Sequence, residues 1–136
     1  MQTISLTLVG NPVPKARART VTLPNGRRLT HTPAPTAQAE ASWQATFIAS
    51  GQQPFPPETP LEITVTSYLP RPPSAPKRRV RPITRPDYDN LVKLVTDALQ
   101  GLAFRDDSQV VDAHIHKVYV TYPDYPRTEL VITKAT

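Results

Sequence analysis

The chain has 136 residues, no cysteine, 17 prolines and a formal net charge of +5. That length suits one domain able to bury a core without covalent staples, and the missing thiols exclude disulfides, thiolate catalysis and cysteine-ligated zinc. No apolar run approaches the roughly 20 residues needed to cross a bilayer, and the N-terminus lacks the charged and apolar blocks of a signal peptide, so a soluble, cytoplasmic protein is expected.

In chain order, Ile4, Leu6 and Leu8 alternate with Thr3, Ser5 and Thr7, which predicts a strand with one buried face. In GNPVPKARAR, Pro12 and Pro14 oppose regular pairing and leave the following bases on a loop or edge. Val21–Leu23 and Arg28–Thr30 flank Asn25-Gly26, a dipeptide favoured in two-residue hairpins, and predict a small hairpin. Thr36 is placed to cap a helix running to about Ser50, with Ala39, Trp43 and Phe47 on one face, a spacing that predicts core residues rather than a stacking platform for bases. After a proline-rich connection, Leu61, Ile63 and Val65 predict a second strand. Residues 70–82 mix prolines with arginines and predict a solvated loop that orders on binding.

The clearest helix lies in PDYDNLVKLVTDALQG, where Leu91, Val95, Ala98 and Leu102 line one side, Asp89, Lys93 and Asp97 line the other, and Gly101 suits the C-terminal cap. Val110–Val120 predicts a long strand, residues 122–126 a turn, and Thr128–Lys134 its antiparallel return. The expected architecture is a single α+β domain over residues 1–136, a mixed sheet with two main helices in the order β, hairpin, α, β, α, β, β.

Charge is unevenly spread. Residues 1–39 hold no acid but include Lys15, Arg17, Arg19, Arg27 and Arg28; a second acid-free stretch holds Arg71, Lys77, Arg78, Arg79, Arg81 and Arg85. Between residues 87 and 112 lie Asp87, Asp89, Asp97, Asp106, Asp107 and Asp112. An acidic site beside basic arms points to a phosphate polyanion, with Lys15, Arg17, Arg19, Arg27, Arg28, Arg78, Arg79, Arg81 and Arg85 as the expected DNA contacts.

Asp87, Asp89 and Lys93 fall at the start of the second helix, Asp106 and Asp107 just past its end. The helix spans roughly 20 Å, so the two groups meet only if the next strand runs back beside the first group, or if a second subunit brings them together. Two or three carboxylates suffice to hold a hard cation such as Mg²⁺ against a phosphate, Lys93 is placed to neutralise charge on that phosphate or to orient the attacking water, and Asn90 to steady a carboxylate. Taken singly, these features have a plain structural explanation. Acids at a helix N-terminus gain about 0.3–1 kcal/mol from its dipole, Asp89 and Lys93 form an ordinary i,i+4 pair, and aspartates are common in turns. His114 and His116 share a strand face with Asp112, a spacing open both to metal ligation and to a solvated or DNA-facing strand; His31 beside the basic hairpin is expected to touch phosphate or water.

RPDYDNLVKLVTDALQGLAFRDDSQVVDAHIHK resembles the signature of the RusA family of Holliday junction resolvases, an Asp-x-Asp-Asn-Leu-x-Lys helix ahead of an Asp-Asp-x-Gln-Val strand. GNPVPKARAR, THTP at 30–33 and Glu40 resemble the phage-associated branch of that family, which implies a bacterial or prophage setting. The resemblance implies a homodimer that cuts four-way junctions by paired, symmetric incisions with Mg²⁺, or Mn²⁺ in its place. It carries the catalytic and metal-binding carboxylates to Asp87, Asp89 and Asp107 and the essential lysine to Lys93, with Asp106 in support. A DNA-binding accessory protein that uses the same basic arms without cleavage is the competing expectation. RNA binding has no stacking motif to support it.

Overall fold

Alternating apolar residues build a four-stranded sheet in the computed structural model, which describes residues 1–136. The elements are β1 (Thr3–Val9), β2 (Arg19–Thr22), β3 (Arg28–His31), α1 (Ala34–Ser50), β4 (Leu61–Leu69), α2 (Tyr88–Leu99), a short 3₁₀ turn (Asp107–Gln109), β5 (Val110–Tyr119) and β6 (Arg127–Lys134). Strand order in the main sheet is β1-β6-β4-β5, with β2 and β3 forming a separate ribbon. This is the expected mixed α+β domain with two helices.

Both helices cover the same sheet face. Ile4, Ile132 and Ile63 stand in register across β1, β6 and β4, and with Leu6, Val65 and Leu130 they meet Trp43 and Phe47 of α1 and Leu94, Val95, Ala98 and Leu99 of α2 in one buried cluster. Each fully buried large aliphatic or aromatic side chain contributes about 1.5–3 kcal/mol to that core. The opposite face, with Ser5, Thr64, Val131 and His114 in register, carries no helix and is mostly polar, as the alternation requires. Gly101, at φ +84°, takes the left-handed position that turns the chain out of α2, and its N–H donates to Phe104 O at 2.7 Å.

Three expectations are corrected. The last strand does not return on β5: β6 pairs antiparallel with β1 on one side and β4 on the other, while β5 pairs parallel with β4 at the sheet edge. Burial explains the exchange. Thr128, Leu130 and Ile132 of β6 are buried, which demands an interior position, whereas Asp112, His114 and His116 leave β5 better suited to an edge. Thr36 is not a cap. The helix begins two residues earlier behind Pro33, and the buried Thr36 hydroxyl accepts the Ala16 N–H at 3.1 Å, tying the basic N-terminal loop to α1. The hairpin turn spans 23–27 rather than two residues, closed by Leu23 N–H to Arg27 O at 2.7 Å, because Pro24 removes a donor from the tighter turn.

Candidate active site

α2 runs between two parallel strands, and that topology decides where its acids stand. A helix joining parallel β4 and β5 must travel from the C-terminal end of β4 back to the N-terminal end of β5. Asp87 therefore lies at one end of the sheet and Asp107 at the other, separated by the roughly 18 Å of a 12-residue helix. β5 does run back, but the residue it delivers to the first end is Lys117. Within one chain, no three carboxylates or imidazoles lie close enough to hold a single metal ion.

At the first end, Asp87 is the N-cap residue of α2, yet its side chain makes no capping bond, and its backbone carbonyl accepts Leu91 N–H at 3.2 Å. The exposed carboxylate faces two clefts instead. One, about 710 Å³, lies between Pro12, Pro14, Lys15 and Arg17 of the basic loop and Arg85, Asp87 and Asn90. The other, about 640 Å³, is lined by Thr84, Arg85, Asp87, Tyr88, Asp89 and Lys117. Asp89 Oδ1 accepts its neighbour's Asn90 N–H at 3.0 Å, and Lys117 Nζ donates to Thr84 O at 2.7 Å, holding the loop that leads into Asp87.

At the second end, Asp106 and Asp107 divide their work. Asp106 Oδ1 accepts Ser108 N–H at 3.2 Å while Gln109 Oε1 accepts Asp106 N–H at 3.0 Å, a reciprocal cap that builds the turn. Asp107 donates its N–H to Gln100 Oε1 at 3.1 Å, and its carboxyl stays exposed. The Ser108 backbone bond, and then the contact with Asp107, hold Asp106 below the usual aspartate range. Asp107 is pushed up, first by its hydrogen bond with Asp106, then by burial and by the charges of Asp106 and Asp97, against the pull of Lys93. Lys93, Asp97 and Asp107 thus share one electrostatic neighbourhood on the exposed side of α2.

Of the arginines, Arg17 lines the first cleft and Arg85 lines both. Arg17, Arg19, Arg27, Arg28, Arg78, Arg81 and Arg85 are exposed, Arg79 is half-buried, and none of the eight takes part in an ion pair. Lys15 stands apart, because its ammonium is 3.2 Å from Glu40 and 3.3 Å from Asp97. Burial opposes its charge, but the hydrogen bonds and charges of both carboxylates outweigh that, and its pKa is raised. The 70–82 loop, expected to order only on binding, is already clamped: Arg71 donates from its two terminal nitrogens to Arg79 O and Pro76 O, each at 2.6 Å, and its guanidinium lies 5.1 Å from the Tyr119 ring centre. His114 is engaged by Glu62 at 2.9 Å across β4 and β5, on the open sheet face away from both clefts.

Four residues beside the site escaped the reading of the sequence as working parts: Lys117, Arg71, Glu40 and Asp97. The signal for Asp97 was present, since it follows Lys93 by one helical turn. For the others only the strand order and loop path reveal the neighbours.

An acidic helix start beside the unpaired Arg17 and Arg85 suits a protein that handles phosphodiesters. The family model for endodeoxyribonuclease RusA matches residues 10–133, and the chain belongs to that family of nucleases. It is similar to the uncharacterized protein YqaN of Bacillus subtilis strain 168, 35% identical over 150 residues, covering 100% of this chain and 99% of the relative. No helix is long and apolar enough to cross a membrane.

Proposed function

We propose that this chain is a magnesium-dependent endodeoxyribonuclease that resolves Holliday junctions and other branched DNA by paired, symmetric phosphodiester cleavage in recombination and repair. The observation that carries this reading is the combination of a capping aspartate, Asp87, whose carboxylate is left out of the helix cap, with the unpaired guanidinium groups of Arg17 and Arg85 lining the clefts beside it. In a protein of this family, carboxylates left exposed beside cations are suited to holding a metal against DNA rather than to stabilising the fold.

The donor set is oxygen only, which suits a hard cation that keeps several waters, Mg²⁺ or Mn²⁺ in its place. We assign Asp87, Asp89 and Asp107 to hold it, with Asp106 and Asn90 in support. When bound, such a cation polarises a phosphoryl group and lowers the pKa of a water. We assign Lys93 to stabilise negative charge building on the phosphate oxygens, and the arginines of the hairpin and the 70–86 segment to neutralise the flanking strands. Because the assigned carboxylates stand at opposite ends of α2 in one chain, a homodimer is the arrangement proposed to gather them; its two-fold symmetry also accounts for paired cuts. We expect it to act in the cytoplasm of its host, where such DNA lies.

The test is incubation of the purified protein with an end-labelled synthetic four-way junction, with magnesium or with EDTA. Symmetric nicks that need magnesium are expected. Tight junction binding without any magnesium-dependent nick would favour a non-catalytic accessory protein.

A further inference from the structure

Lys93 has a carboxylate one turn away on either side, Asp89 before it and Asp97 after it, and pairs with neither. Such i,i+4 pairs ordinarily form on helix surfaces. The reason on the Asp97 side is visible: the Lys15 ammonium already sits there at 3.3 Å, bridging to Glu40 of α1 at 3.2 Å. Lys15 does not arrive by chance. Its own N–H donates to Asn90 O at 2.8 Å and the next residue's N–H to Thr36 Oγ1 at 3.1 Å, so the backbone is stitched to the first turns of both helices. The three charged side chains are only 19–28% exposed, whereas Lys93 is exposed, so screening weakens any bid by Lys93 for Asp97 far more than it weakens the bridge.

We infer that Lys15 is a positioning residue, which occupies Asp97 and so leaves Lys93 free to meet the scissile phosphate. This rests on the proposed role of Lys93. It also assigns Lys15 a task inside the protein, different from that of the arginines around it, which remain unpaired.

The experiment measures single-turnover cleavage of a labelled four-way junction alongside its binding affinity, for Lys15→Met, Lys15→Met/Asp97→Asn, Lys15→Arg and Lys93→Met. Lys15→Met should slow cleavage about twofold, the share of Lys93 that an unopposed i,i+4 pair would capture, with affinity unchanged. Removing the competing carboxylate in Lys15→Met/Asp97→Asn should restore most of the rate, and Lys15→Arg should retain it; a merely structural loss would not be repaired by deleting a second partner. Lys93→Met should lose on the order of a hundredfold. If Lys15→Met does not fold, the same comparison is made between Lys15→Met/Glu40→Gln and that variant with Asp97→Asn added. A dead Lys93→Met together with a normal Lys15→Met, or a double variant as slow as the single one, overturns the inference and leaves the site reading standing. A normal Lys93→Met overturns both.

Discussion

Replacing Arg71 with alanine separates two ways in which an arginine can serve DNA binding. In the structure Arg71 closes the proline-rich loop on itself, through two bonds of 2.6 Å to the carbonyls of Pro76 and Arg79. A hydrogen bond from a charged donor is worth about 1.5–3 kcal/mol in sheltered surroundings. Arg71 is exposed, so screening reduces each to about 0.5–1 kcal/mol, or about 1–2 kcal/mol for the clamp. A change of that size alters the ordered-to-disordered ratio of the loop about 5–30-fold. Arg71→Ala should therefore weaken junction binding by up to about tenfold, measured by fluorescence anisotropy, as the loop carrying Arg78, Arg79 and Arg81 must be ordered at the moment of binding. The slope of log affinity against log salt should stay as it is, because no phosphate contact is lost. Trypsin should cut the unliganded variant faster at Lys77, Arg78 and Arg79. A slope reduced by about one, with the trypsin rate unchanged, would mean that Arg71 grips DNA directly and the clamp reasoning is wrong.

The converse holds for Arg78→Ala combined with Arg79→Ala: affinity falls and the salt slope flattens by about two, read in the same titration, whereas an unchanged slope moves the footprint elsewhere. Asp89→Asn should abolish magnesium-dependent cleavage while junction binding persists, and a variant that still nicks at the normal rate removes Asp89 from the metal assignment. In the metal-free protein, carboxyl-carbon NMR should find Asp107 titrating above the ordinary aspartate range and Asp106 below it. The sign follows from linkage: the raised Asp107 disfavours the folded state once pH passes above the ordinary value, whereas the lowered Asp106 favours it there and loses that contribution as pH falls through its folded pKa. Asp106→Asn should bring Asp107 down, since its largest perturbation is the bond with Asp106; an Asp107 that does not move assigns the shift to burial instead.

What could be read without coordinates was whatever depends on near neighbours. The 3.6-residue spacing of Leu91, Val95 and Ala98 and the alternation of Leu61, Ile63 and Val65 follow from burial of one face, and burial is a local pattern. Pairing partners are not local. Leu130 and Ile132 announce a strand with a buried face but are silent on whether β6 lies beside β5 or two strands away, and the answer depends on which strand tolerates an edge. The site divides along the same line. Asp89, Lys93 and Asp97 are legible as one helical face with Asp87 just ahead of it, while the parallel pairing of β4 with β5, invisible in any window of sequence, sends Asp107 to the far end and brings Lys117 in its place.

That division has a consequence for how the enzyme is switched on. If one chain held every carboxylate in a single pocket, a monomer would bind magnesium and nick any DNA its arginines reached. On the proposed assignment, a chain that stations Asp87 at the start of a helix some 18 Å long and Asp107 beyond its end would hold the metal weakly by itself. Under the proposed function, assembly and metal binding are then one coupled equilibrium, and magnesium affinity rises with protein concentration. Manganese titrations at several protein concentrations measure that coupling. An affinity that stays constant from the dilute monomer to the assembled state would mean that each chain completes its own site by a movement of α2 or its flanking turns.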